Sequence, residues 1–368
     1  MRLSLSRLEI YVLQRTLFSV LGALVVLGSI IMLIDFVEIS RDVGVRTEVG
    51  AARIFGLTLL KSPQVLLILL PFVFLFGTLG AFVSLNRRSE LIAMRAAGVS
   101  AWRFIFPAAA AAFVIGVLTI TVLNPGATAL HKQFETTRAA IMDERAPTAP
   151  KEVWLRQGGR ANTQMVIHAR SRSEAGPIVL QGVSLFIYEV NKDGKLFFTR
   201  RVDAGEARLV DGEWRLTGVR EAGAGETAQE SESMSIPSTV TDPSALTRAA
   251  SPNAVSFWSL PSVIARTEEA GLAATGYRLR LQQLMATPIL FVAMSVLAAA
   301  FCLRLVRLGG LAGLAGSGVA LGFAFFFLNE FCGALGRAGI IPPFAAAWSP
   351  PLLALLSGLT LLCYTEDG

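Results

Sequence analysis

The sequence predicts a membrane α-helical protein: six transmembrane helices in a 3+3 arrangement, with an all-β, jelly-roll-like domain inserted between the two groups. Three observations predict it. Hydrophobic residues make up 53% of the 368 positions and charged residues only 16%, against roughly 25% charged in an ordinary soluble domain, and the mean hydropathy is +0.56. The apolar residues are gathered into blocks, each close to the roughly 20 residues that span a bilayer as a helix. The net charge of +6 is uneven: residues 1–130 hold eleven Lys/Arg against six Asp/Glu, whereas residues 131–250 hold sixteen of each. Basic residues flanking apolar blocks mark membrane-helix ends. A nucleic-acid binder would carry its basic stripe on the polar domain, so no nucleic-acid partner is expected.

The first span covers 16–34, bounded by Arg15 and Asp35. It is too long for the apolar core of a cleavable signal peptide and has no small-residue cleavage site after it. The second covers 57–85, punctuated by Pro63 and Pro71, with its membrane part expected over 65–85. The third, 104–123, is expected to stop at Asn124-Pro125, because the residue before proline avoids helix. The fourth, fifth and sixth cover 284–303, 311–335 and 344–363. The chain therefore divides into spans one to three (1–123, including a coupling segment at 86–100), a β domain (124–259), a linker helix (260–283) and spans four to six (284–368).

Arginines set the orientation by the positive-inside rule. Arg2, Arg7 and Arg15 precede the first span, Arg87, Arg88, Arg95 and Arg103 follow the second, and Arg304 and Arg307 follow the fourth. Both termini are thus expected to be cytoplasmic and the large domain on the far side. Within that domain, short β-branched or aromatic runs at 153–157, 164–171, 178–190, 207–210 and 213–219 read as strands. Residues 191–195 carry a turn signal, 223–227 read as a loop, and Asp211-Gly212 marks a two-residue hairpin, since Asp-Gly supplies the positive φ angles of a type I′ turn.

The segment 86–100 carries the most information. Ser89 is expected to cap a short amphipathic helix and Gly98 to stop it, with Leu91, Met94 and Arg95 at i, i+3, i+4 spacing. From the residues alone it reads either as an interfacial helix whose arginines touch lipid headgroups or as a docking helix. In the second case Glu90 would make a charge-assisted contact while Leu91 and Met94 fill a partner's groove. No catalytic constellation is evident. His131 and His168 are isolated, the three cysteines (Cys302, Cys332, Cys363) lie in apolar segments, and the glycines from 309 to 322 lack the Lys-Ser/Thr of a phosphate loop. Glu330, late in the fifth span, is an ionisable residue of the kind that is often functional in a membrane.

The run Arg87-Arg88-Ser89-Glu90-Leu91 followed by Ala96-Ala97-Gly98 resembles the coupling-helix motif of the lipopolysaccharide export permeases, the LptF/LptG family (YjgP/YjgQ). Asp35-Phe36-Val37-Glu38 resembles the LptG branch, Ser62-Pro63 and Tyr277-Arg278 occupy matching places, and Gly339-Ile340-Ile341-Pro342-Pro343 resembles the loop after the fifth span. The resemblance covers essentially the whole chain.

It implies a permease subunit of an ABC exporter that extracts lipopolysaccharide from the bacterial inner membrane and passes it through periplasmic β domains to a periplasmic bridge. Implied partners are an LptB-like ATPase dimer, an LptF-like permease, an LptC-like membrane-anchored periplasmic protein and lipopolysaccharide itself. ATP and Mg2+ would be bound by the partner ATPase, with no cofactor and no enzymatic activity in this chain. Arg87, Arg88, Ser89, Glu90, Leu91, Met94, Arg95 and Gly98 would carry ATPase coupling. Phe36, Arg41, Arg46 and Phe326 would contact the lipid, although Asp35 and Asp42 stand where lysines can occur in the family. Two alternatives stay open at this stage: another ABC-type permease (lipoprotein extraction or mechanotransmission), and a membrane-anchored periplasmic scaffold that has no need of a docking helix.

Overall fold

Among the described residues, six helices long and apolar enough to cross a membrane dominate the computed structural model. It describes residues 6–44, 49–143, 153–158, 163–172, 179–190, 196–210, 212–223, 227–238, 251–269, 273–305 and 311–366. The chain forms two compact units: Met1–Glu144 with Pro252–Pro261 and Thr275–Gly368, and Arg145–Ser251 with Ser262–Ala274.

In the membrane unit, α1 (Arg7–Gly44) and α2 (Ala51–Arg87) pack as a pair, followed by the short α3 (Glu90–Ala96) and by α4 (Ala101–Leu118). Both Pro63 and Pro71 lie inside α2, which stays helical throughout. In hydrocarbon no water satisfies a broken backbone, so a proline is tolerated more readily than an end to the helix.

The third span differs from expectation for a related reason. It does not stop at Asn124-Pro125. A π-helical turn, Thr119–Leu123, leads directly into α5 (Asn124–Asp143). Pro125 brings no N–H to the carbonyl four residues back, that of Thr121. The indole N–H of Trp258 donates to this carbonyl instead, at 3.0 Å. Asn124 is buried, and its side-chain oxygen accepts the backbone N–H of Phe257 at 2.9 Å. A residue 137 positions away thus supplies the donor that proline removes. The continuous helix Ala101–Ile141 has 41 residues, about 60 Å at 1.5 Å per residue, twice a hydrocarbon core. The polar α5 therefore carries the chain out of the apolar layer, and the domain boundary expected at 124 falls inside a helix.

The expected linker helix is likewise two pieces, α6 (Leu260–Glu269) and the start of α7 (Thr275–Leu305). Two further spans complete the unit: α8 (Leu311–Arg337) and α9 (Pro343–Glu366). The Gly-Ile-Ile-Pro-Pro run has a simple local cause. Gly339 adopts φ +72°, while Gly339 N–H bonds to Gly336 O and Ile340 N–H to Leu335 O, closing α8 with a Schellman motif. Pro343 then opens α9 in the position where a missing N–H costs nothing. The loop between the fourth and fifth spans, with Arg307, lies outside the described residues.

The centre of the bundle is α7, packed against α2, α4, α8 and α9. Its contacts are close because small residues permit them. A Cβ on Gly116 of α4 would stand 2.5 Å from the Cα of Pro288.

Among the described residues the second unit contains one antiparallel sheet: β1 (Val153–Gly158), β2 (Thr163–Arg172), β3 (Val179–Val190), β4 (Leu196–Val210), β5 (Glu213–Gly223) and β6 (Gln229–Pro237). Each strand pairs with its chain neighbours in the order β1-β2-β3-β4-β5-β6. The inserted β domain is as expected, but among the described strands its order is an up-and-down meander rather than the interleaved order of a jelly roll. Alternation places Met165, Ile167, Leu185, Val202, Trp214 and Leu216 in one buried cluster. Val210 pairs with Glu213 around a Gly212 at φ +77°, as an Asp-Gly hairpin requires; Asp211 itself, and the expected turn at 191–195, lie outside the described residues. Strand β6 was not expected. Its sequence is polar, and only Met234 and Ile236 lean on the core. Cross-strand bonds to β5 rather than side-chain burial hold it.

Candidate functional site: the α3 clasp and the α1 rim

Helix α3 sits between α2 and α4 at the end of the bundle where α1 begins and α9 ends. The turn into it passes through Ser89 at φ +58°, a left-handed conformation uncommon outside glycine. Ser89 occupies the N-cap position without making a side-chain capping bond, so the expected cap is only positional. The stop is as expected: Gly98, at φ +79°, bonds to Arg95 O, and Val99 N–H bonds to Met94 O at 3.1 Å.

Three contacts clasp the helix. Leu91, 2% exposed, enters the main core, and Met94 packs against the same cluster. Glu90 accepts a hydrogen bond from the Tyr11 hydroxyl of α1 at 2.8 Å. That hydroxyl in turn accepts from Arg15 Nε at 3.3 Å, with the guanidinium 5.7 Å from the Tyr11 ring centroid. Arg95 Nη2 donates to the carbonyl of Thr365, at the end of α9, at 2.9 Å. Nearby, Ser6 and Glu9 form a reciprocal capping box at the start of α1, and Glu9 also pairs with Arg103 of α4 at 3.0 Å.

This geometry corrects one expectation. Leu91 is not available to fill a partner's groove; it is used inside the chain. The outward surface here consists of Arg87 at the end of α2, Arg88 and Ser89 in the turn, and Ile92, Ala93 and Ala96 of α3, with Ala97 and Gly98 beyond, and Ile92 is 60% exposed. Two basic residues beside an exposed isoleucine form a small amphipathic knob on a helix whose inner face is fixed. Sequence reasoning missed Tyr11, Arg15 and Thr365. The first two stand at i, i+4 spacing ahead of the first span, which was a usable signal; Thr365 contributes only its backbone, for which no residue type is diagnostic.

At the opposite end, α1 and α2 are joined by ion pairs. Lys61 Nζ lies 2.7 Å from Asp35 Oδ1 and 3.0 Å from Glu38 Oε2, with Asp35 buried. Asp42 pairs with Arg138 of α5 at 3.0 Å. The two acidic departures from the family pattern therefore each hold a basic residue of a neighbouring helix. Arg41 is exposed beside Asp42, and Arg46 lies outside the described residues. Phe36 packs beside Ile39, Ile54, Leu57 and Phe134. Phe326 lies elsewhere, its ring 6.1 Å from Phe72 of α2. The structure thus does not gather Phe36 and Phe326 into one packing group. Among the open apolar faces are that of α1, with Phe18, Leu21 and Val25, and that of α8, with Val319, Phe323 and Phe327. On the covered side of α8, Gly318 and Gly322 admit Leu79 and Leu75 of α2.

Comparison with known proteins bears on both ends. The family model described as lipopolysaccharide export system permease LptF/LptG matches residues 10–364. The lipopolysaccharide export system permease protein LptG of Escherichia coli strain K12 is 24% identical over 352 residues, covering 94% of each chain. The protein of the same name from Haemophilus influenzae is 23% identical over 373 residues, covering 99% of this chain and 100% of the relative.

Proposed function

Since the chain belongs to the lipopolysaccharide export permease family LptF/LptG, we propose that it is one permease half of an ABC exporter of lipopolysaccharide, driven by ATP hydrolysis in a partner. The clasp on α3 is the observation that carries this reading. A helix of seven residues has little stability of its own. Here it is bound to α1 through Glu90 and Tyr11, to α9 through Arg95, and to the core through Leu91. A push on its exposed knob is therefore delivered to helices at both ends of the sequence. That is a transmission element, and a passive anchor has no use for one.

In this reading Arg87, Arg88 and Ile92 meet an LptB-like ATPase, which alone holds ATP and Mg2+, while Glu90 serves both the partner and Tyr11. The open faces of α1 and α8 meet lipid and an LptF-like permease. The inserted β domain is periplasmic, both termini are cytoplasmic, and lipid leaves the inner membrane toward an LptC-like protein and a periplasmic bridge. No bond is made or broken by this chain; its work is conformational.

Purification from native membranes in mild detergent, with mass spectrometry of the co-purifying proteins and lipids, tests the reading. An LptB-like ATPase, an LptF-like permease and lipopolysaccharide are expected together. Glu90→Lys is expected to remove the ATPase from the complex or abolish its lipid-stimulated turnover. An unaltered complex with unaltered turnover in Glu90→Lys overturns the assignment of α3.

A further inference from the structure

The continuous helix made of α4, the π turn and α5 changes its surroundings along its length. Every exposed residue from 104 to 123 is apolar, Phe106, Val114 and Val122 among them. From 132 to 137 the exposed residues are Lys132, Gln133, Glu135, Thr136 and Thr137. Trp258, which belongs to the chain just before α6 and to none of the six spans, stands beside this change. Its indole N–H is bonded to the Thr121 carbonyl at 3.0 Å, yet the residue is 64% exposed. The Phe257 ring meets it edge-on, with centroids 5.2 Å apart at 71°. The polar demand of the indole is thus met within the chain while its apolar body stays open.

The depth of this ring follows from two helices. Trp102, the second residue of α4, is exposed at the opposite end. From Trp102 to Thr121 the helix is unbroken and advances about 28 Å at 1.5 Å per residue. Helix α9 gives a second measure: its exposed Phe344 and Tyr364 are separated by about 30 Å on the same rise. Both measures start from one end of the bundle, because Arg95 of α3, just ahead of α4, bonds to Thr365 at the close of α9. At the far end of α9 Phe344 is joined by Trp348, with ring centroids 5.8 Å apart, and the Trp348 N–H is likewise bonded within the chain, to Gln282 Oε1 at 3.0 Å. A separation of about 30 Å is the thickness of a bilayer's hydrocarbon core, and amphipathic aromatic rings concentrate at its two faces, at the level of the headgroups. A protein partner would find only the apolar faces of Trp258, its N–H being already bonded; the lipid interface asks for nothing more.

We propose that Trp258 is an interfacial anchor, its ring lying in the carbonyl and headgroup layer of the phospholipid leaflet on that side. This gives the protein a membrane contact outside its six spans, made by the chain around residues 256–259. The contact sets the depth at which the third span ends, and it depends neither on a partner ATPase nor on a cargo lipid.

Fluorine NMR of the full-length chain tests this, with 5-fluorotryptophan incorporated and the protein reconstituted in nanodiscs of phosphatidylethanolamine and phosphatidylglycerol. The five tryptophans are assigned by single substitutions such as Trp258→Phe. Phosphatidylcholine carrying a nitroxide at acyl carbon 5 or acyl carbon 16, and a water-soluble gadolinium chelate, then report depth. The Trp258 resonance is expected to broaden at least threefold more with the carbon-5 label than with the carbon-16 label, as is that of Trp102, while Trp214, fully buried, responds to none of the probes. If Trp258→Phe fails to elute as a monodisperse species, Trp102→Phe, Trp154→Phe and Trp348→Phe leave Trp258 assigned by elimination against the unresponsive Trp214. Stronger broadening by the carbon-16 label places the ring in the hydrocarbon, broadening by gadolinium alone places it in water, and broadening by no probe places it under protein, a partner or a second copy. Each of these three results overturns the proposal.

Discussion

Helices α1 and α7 both contain long apolar stretches, yet they occupy opposite environments. The apolar window of α1 has the higher mean hydropathy, but 6% of it is buried, against 72% for α7. In water the more apolar helix would take the centre. In a bilayer the solvent is as apolar as leucine, so hydropathy selects the membrane and packing selects the centre. The centre goes to the helix with small residues: Ala286, Ala293, Ser295, Ala298, Ala299 and Ala300 lie on the buried surface of α7. Along α1, Phe18, Leu21, Val25 and Leu33 stay outside, while the opposite face packs along α2, where Gly77 admits the Val20 backbone, and polar contacts add to this at both ends.

Four substitutions sharpen or break this comparison. The largest effect is expected at the centre. Gly116→Leu drives a side chain into the backbone of Pro288 and should cost at least about 3 kcal/mol, the upper range of overpacking, read as loss of monodisperse protein on gel filtration. Next comes the ion pair that holds α1 to α2. Lys61→Met strands the buried Asp35 and should cost about 3–5 kcal/mol, whereas Asp35→Leu combined with Lys61→Met should recover most of it, because the pair itself contributes little net; thermal melts in detergent decide. Third is the other end of α1. Tyr11→Phe removes the hydroxyl that Glu90 accepts from and should cost about 1.5–3 kcal/mol as a hydrogen bond to a charged group, with a larger proportional loss of lipid-stimulated ATPase turnover in the reconstituted complex than of melting temperature. Smallest is the exposed face. Phe18→Ala should change the stability of the isolated chain by no more than about 0.5 kcal/mol. A large drop there, with Gly116→Leu tolerated, would reverse the assignment of centre and periphery.

Spans and most strands were legible because each is a local pattern: a block of about 20 apolar residues, or an alternating run closed by Asp-Gly. The short helix α3 was legible for the same reason, as Gly98 and the Leu91/Met94 spacing lie within one turn or two. What escaped was non-local. The bond from Glu90 joins residues 79 positions apart and that from Arg95 reaches 270 positions, and no window contains both partners. The third span was misjudged at Pro125 because the local rule is sound but is overridden by Trp258. Strand β6 carries almost no apolar alternation, so pairing alone reveals it. At the rim, Asp35 and Asp42 looked like departures from a basic surface, while the structure uses both as anchors for Lys61 and Arg138.

The contact between Trp258 and Thr121, with that between Phe257 and Asn124, has an architectural meaning. It staples the chain that leaves the bundle to the chain that comes back, at a point before the β strands begin and after they end. The two contacts fix where α5 departs and where the chain first comes back, before 262–274 rejoin the second unit. A sequence bounded by such contacts is a cassette. It can be lengthened, shortened or exchanged for another domain during evolution, or by design between residues 144 and 251, while the six-span scaffold keeps its own geometry.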